Sequence, residues 1–136
     1  MSESHRRFHL TVLPGSFALV RLAADAPLPS WAMHGEFFSV TRTGDELSVI
    51  TETAFVPARL RTEVSWRVMK VHGPFDFSEV GVLASLVGPL AAAGVSVFTI
   101  STFDTDYLLV RCIQLREAVA ALRNASHAVH ELKTTS

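Results

Sequence analysis

Hydrophobic and polar residues follow two different periods along the chain, and each period predicts a type of element. In the first half, runs rich in β-branched and aromatic residues at positions 8–13 and 17–22 predict two strands that meet at a Pro-Gly-Ser turn. Residues 37–42 and 47–51 predict a hairpin whose turn contains Gly44 and Asp45. The first half offers only a short helical segment, near Trp31.

The second half alternates between strand and helix patterns. Apolar residues recur every three or four positions in two segments, which is the period of a helix with one buried side. The predicted elements are strand 66–72, a helix from residue 79 that stops at Gly94, strands 95–101 and 107–111, a helix over 115–122 and strand 128–132. This β-α-β-β-α-β order predicts a ferredoxin-like arrangement, with both helices on one side of an antiparallel sheet.

The boundary between the halves is predicted in residues 53–63, which have no clear period. We therefore predict an α+β fold of two tandem ferredoxin-like βαββαβ modules. The first module, residues 1–62, would be reduced because it lacks long helices, and residues 63–136 would form the complete second module.

The composition of the chain limits the cellular compartments and the classes of partner that can be expected. The chain has 136 residues, of which 49% are hydrophobic and 18% charged, with a formal net charge of −1. No basic surface is implied that could neutralise a row of phosphates, so we expect no nucleic-acid partner. The single Cys112 fits a reducing compartment. Apolar runs fall short of the roughly 18 residues of a membrane span, and the polar N-terminus is no signal peptide, so a cytoplasmic protein without a membrane partner is expected.

Motifs for catalysis, cofactors and metals are missing. The seven glycines form neither a phosphate-binding G-x-x-x-x-G-K loop nor a G-x-S-x-G nucleophile elbow. His127 and His130 would point to opposite faces of a strand, so they should not share a metal and are expected to be solvated. Asp104 and Asp106 begin a calcium-loop pattern that is not completed. The sequence predicts no enzyme, no catalytic residue, no cofactor and no metal site.

Two segments predict a binding patch instead. Residues 76–81 lead from a strand into a helix, whose first N–H groups lack intrahelical partners and favour an anion. In the β-α-β-β order they meet residues 101–106 at one edge of the sheet, where aspartates could bind an ammonium group. Gly81 would let a ligand approach the backbone, or would serve tight packing of the helix on the sheet. Taken alone, the 102–106 turn is better explained by Asp and Thr side chains that cap backbone amides, and the segment upstream of the helix shifts the balance toward binding.

The sequence also resembles a known family. Residues 74–81 (PFDFSEVG), 94–98 (GVSVF) and 100–110 (ISTFDTDYLLV) are similar to ACT domains, which bind amino acids and regulate other proteins. Residues 35–43 (GEFFSVTRT) and 46–49 are similar to the first module of small bacterial tandem-ACT proteins. The resemblance is strongest to the branch of the family that contains these bacterial proteins and the arginine-sensing proteins of animal cells.

The resemblance implies regulation without catalysis and a ligand at an interface between modules. Carried onto this chain, the ligand-binding positions are Glu79, Val80, Gly81, Thr102, Phe103 and Asp106. Because the animal sensors have twice as many modules, a homodimer is expected here, with an amino acid as ligand and an unidentified protein partner. The alternatives are an interaction module without ligand, an RNA-binding ferredoxin-like domain, which would need surface aromatics and a basic face, and an unfamiliar enzyme.

Overall fold

The structure is a computed structural model that describes residues 7–73 and 81–131. These residues form a mixed α+β fold with eight strands and two α-helices. The elements are, in chain order, β1 (His9–Val12), β2 (Phe17–Leu22), β3 (Ser39–Arg42), β4 (Leu47–Glu52), β5 (Trp66–Val71), α1 (Val82–Ala92), β6 (Val97–Ser101), β7 (Asp106–Arg111), α2 (Leu115–Asn124) and β8 (Ala128–Glu131).

The backbone groups into two compact units. The small unit is Gly15–Trp66, and the large unit contains the described residues on either side of it. Residues 7–14, which precede the small unit along the chain, group with the C-terminal half. The boundary between residues 62 and 63 stays a prediction.

The large unit contains a sheet with the strand order β8-β1-β5-β7-β6. The predicted βαββαβ order of its last six elements is confirmed. β1 lies between β5 and β8, antiparallel to the first and parallel to the second. β1 and β2 both form, as predicted. β1 pairs with β5 and β8, whereas β2 pairs with β4.

Both helices contribute to one core of the large unit. Leu86 and Leu90 of α1 and Leu122 of α2 are fully buried with Leu10 and Leu108 from the sheet. Burial of a leucine side chain contributes about 1.5–3 kcal/mol, so this cluster holds the helices on the sheet. α1 ends where Gly94, at φ +76°, adopts the left-handed conformation that stops a helix.

The small unit is built on the antiparallel strands β3, β4 and β2, in that order. The predicted hairpin of β3 and β4 is confirmed, and the Thr43 hydroxyl accepts hydrogen bonds from the amides of Asp45 and Glu46 in its turn. This unit, whose residues are all described, has three short 3-10 helices and no α-helix. They are Ser30–Met33, which includes Trp31, and Thr53–Phe55 and Ala58–Leu60 in the segment without a clear period.

Candidate binding site at the end of the large sheet

The turn between β6 and β7 is fixed in place by its threonines. The Thr102 amide and hydroxyl both donate to the Thr105 carbonyl, at 2.8 and 3.0 Å. Thr105 is buried, and its hydroxyl donates to the carbonyl of Val71, at the end of β5, over 2.6 Å. A buried hydrogen bond of this kind ties the turn to the strand that leads into the predicted binding loop.

Asp106 lies on the helix side of the sheet. It opposes Ser101 across the β6-β7 pair, and the Ser101 hydroxyl donates to Asp106 Oδ1 over 2.5 Å. Side chains alternate along a strand, and Leu108 and Val110 pack into the core beneath the helices. Asp106 therefore shares their face, at the end of β7 nearest the turn.

The other predicted residues differ in how far the structure describes them. Thr102 belongs to the hydrogen-bonded turn, and Phe103 projects from it with 78% of its surface exposed. Glu79 and Val80 lie outside the described residues, as do Ser78 and the rest of the loop from residue 74.

Gly81 immediately precedes α1, and its carbonyl accepts the first helical hydrogen bond, from Ser85. Its φ of +83° is a conformation that glycine adopts without strain. A Cβ at this position would meet no described atom within 4 Å. The glycine is therefore explained by its backbone conformation, and tight packing of the helix on the sheet does not account for it.

A cleft of about 270 Å³ opens beside the same turn, and the sequence did not predict it. Its described lining residues are Lys70, Gly73, Asp104 and Thr105. Lys70 alternates with the buried Met69 and Val71, so it points away from the helices. Asp104 and Asp106 are thus two residues apart, but Asp104 borders a cleft with Lys70 whereas Asp106 lies on the helix side.

His127 is buried, and the expectation that it is solvated was wrong. Only 2% of its surface is exposed. The Phe8 amide donates to its Nδ1 over 3.1 Å, and its Nε2 lies 3.0 Å from the Ser85 carbonyl oxygen. Because Nδ1 accepts and a carbonyl can only accept, the ring is the neutral tautomer with its proton on Nε2. It links the segment before β1 to α1.

His72, directly after β5, lies near Lys70 and two further histidines, His9 and His130. Partial burial, and then the neighbouring Lys70, His130 and His9, lower the pKa of His72 from its usual 6.5. The unfolded chain therefore binds this proton at a higher pH than the folded chain does.

We expect the protein to lose stability as the pH falls below about 6.5, where the unfolded state takes up more protons. Urea unfolding at about pH 7.5 and 5.5 measures this loss. His72→Gln should show a smaller loss than the wild type, and an equal loss in both proteins would contradict this origin.

Within residues 7–73 and 81–131, no three or more His, Cys, Asp or Glu side chains are arranged to hold a metal ion. No helix in this part of the chain is long and apolar enough to cross a membrane.

Together, the sheet order and the two helices define a ferredoxin-like α+β protein. Residues 61–124 match the profile of the ACT domain, and residues 15–59 match that of an N-terminal domain family. Residues 61–124 therefore form an ACT domain, the domain class that the sequence resembles.

The similar proteins include two solved bacterial structures and one animal protein matched by sequence. A solved protein from Agobacterium tumefaciens is 38% identical, with a TM-score of 0.89 over 96% of this chain and 98% of that one. The human protein named cytosolic arginine sensor for mTORC1 subunit 1 is 35% identical over 96 residues, which are 65% of this chain. This chain spans only 28% of that sensor's length. An aspartate kinase from Clostridium acetobutylicum, at 12% identity and a TM-score of 0.59, shares the fold.

Proposed function

We propose that this chain is a non-catalytic cytoplasmic sensor that binds a free amino acid or a similar small metabolite. The binding site would lie at an interface between two tandem ACT modules, the first of them reduced, or between the two copies of a homodimer. The ACT-domain match of residues 61–124 and the similarity to a protein named as an arginine sensor support this class of function. Occupancy of the site would change how the chain acts on a protein partner.

The position of Asp106 carries the proposal. Its carboxylate lies on the helix side of the sheet, beside a turn that is tied to the end of β5. The start of α1, after Gly81, provides amide groups that favour a carboxylate. A free amino acid carries both charges, so Asp106 would bind its ammonium group and the segment Glu79, Val80 and Gly81 its carboxylate. Thr102 and Phe103 would complete the site.

A thermal-shift screen of the twenty amino acids tests this proposal. A ligand that binds only the folded state adds about 2.7 kcal/mol at a hundredfold excess over its Kd. We expect at least one amino acid to raise the Tm by several degrees at millimolar concentration.

Two derivatives of the effective amino acid serve as controls. Its N-acetyl form lacks the ammonium charge and its amide lacks the carboxylate, so both should lose the effect. If no amino acid raises the Tm, the chain is better explained as an interaction module without ligand.

The homodimer is part of the same proposal. Light scattering should give about twice the monomer mass of 14.9 kDa at micromolar concentration. A monomer mass in the presence of the effective ligand would restrict the site to an interface within one chain.

A further inference from the structure

The outer side of the large sheet, opposite the helices, carries a cluster of basic residues. Thr11 on β1 lies opposite both Lys70 on β5 and His130 on β8. Since side chains alternate along strands, His9 shares the face of Thr11, and His72 shares the face of Lys70. All three histidines and Lys70 are exposed. The residues between them, such as Leu10, Val71 and Val129, are buried in the core on the other side.

The three imidazole rings are close together. The rings of His9 and His130 stack with centroids 5.9 Å apart and planes 2° from parallel. The centroid of His72 is 6.4 Å from that of His130, and its Nε2 forms a 2.5 Å hydrogen bond with Thr11 Oγ1. These rings and Lys70 form the histidine cluster.

The charge of the histidine cluster is not compensated within the described part of the chain. No carboxylate there lies within ion-pair distance of His9, His72, His130 or Lys70. Glu131, the acidic residue of β8, pairs instead with Arg123 at 3.9 Å. At the borders of the cluster, Arg7 lines a groove with His130, and Asp104 shares the small cleft with Lys70.

We propose that the histidine cluster binds a compact anion with two or more negative charges, of the phosphate type. Lys70 provides a permanent charge, and each protonated imidazole provides further N–H donors on the same open face. Repulsion among these groups would be relieved by the anion, so binding and protonation favour each other. A metal ion is a poorer fit, because these side chains are not arranged as ligands and Lys70 repels cations.

Titration of the full chain with inorganic pyrophosphate tests this inference. Calorimetry at about pH 6 and pH 8 should show affinity at least about fivefold higher at the lower pH, because imidazole rings gain protons as the pH falls through this range. Sodium chloride at equal ionic strength is the control for screening, and treating every solution with a chelating resin beforehand removes metal ions without adding another anion. In NMR spectra, pyrophosphate should raise the lowered pKa of His72 and shift the ring resonances of His9 and His130. Repeating the titration with orthophosphate and with a phosphorylated sugar distinguishes a free inorganic ion from a phosphorylated metabolite.

Variants locate the binding on this face. Lys70→Gln, and the double variant His9→Gln with His130→Gln, should each weaken binding about threefold to fivefold per charge, the range for exposed ion pairs. Arg116→Gln, an exposed arginine on α2, removes one positive charge elsewhere and should leave binding unchanged. Equal effects of pyrophosphate and chloride, equal affinity at both pH values, or equal losses in all variants would overturn the proposal. The outcome does not depend on the amino-acid screen, because Asp106 lies on the other side of the sheet.

Discussion

His127→Ala is expected to lower the free energy of unfolding by about 2–4 kcal/mol. The substitution removes the acceptor of the Phe8 amide and the donor to the Ser85 carbonyl, at a residue with only 2% of its surface exposed. An unpaired buried polar group costs about 1–3 kcal/mol, and the lost ring also leaves a cavity. Urea unfolding at about pH 7.5 measures the change.

Two further variants separate the hydrogen bonds from a general effect of losing a histidine. His130→Ala is the matched control, because this residue is exposed on the adjoining strand, and it should change stability by no more than about 0.5 kcal/mol. His127→Asn keeps an acceptor near the position of Nδ1 and should be less damaging than alanine. Equal stabilities of His127→Ala and His130→Ala would show that the buried hydrogen bonds contribute nothing.

The burial of His127 could not be inferred from strand alternation, because the residue lies outside the strand. α2 ends at Asn124, and Ser126 adopts a φ of +73°, so the chain turns and the His127 amide bonds back to the Leu122 carbonyl. β8 begins one residue later. The left-handed residue that ends a helix is usually glycine, so the serine at this position did not predict the turn that buries His127.

The strand partners of β1 could not be predicted, for a different reason. Its own residues predict a strand, but its parallel partner β8 lies more than a hundred residues away along the chain. Hydrophobic periodicity describes which face of a strand is buried and contains no information about a distant partner. The sequence therefore predicted β1 as a strand before a turn, but not the strands with which it pairs.

Local patterns succeeded where the contacts are local. Of the four apolar positions that predicted α2, Ala118, Val119 and Leu122 are buried and Leu115 is half-buried. The Gly44 hairpin forms as predicted. In the candidate site, the 102–106 turn was predicted, together with threonine side chains bonded to its backbone. The bond from Thr105 to Val71 and the Lys70 cleft depend on tertiary packing, so the sequence could not provide them.

Asp106→Asn is expected to weaken binding of the amino acid found in the screen by about tenfold to a hundredfold. A charge-assisted hydrogen bond of about 1.5–3 kcal/mol to the ligand's ammonium would be lost. Stability of the free protein should change by no more than about 0.5 kcal/mol, because asparagine keeps the Oδ1 that accepts from Ser101. Calorimetric titration and the melting temperature of each variant measure the two effects.

Asp104→Asn is the control for charge, because it removes the same negative charge from the same turn. Its carboxylate borders the Lys70 cleft, whereas Asp106 lies on the helix side, so only Asp106→Asn should lose affinity. If Asp104→Asn alone weakens binding, the amino acid occupies the Lys70 cleft instead. If Asp106→Asn leaves affinity unchanged but sharply lowers the melting temperature, the carboxylate serves the β6-β7 turn through Ser101 and is no ligand group.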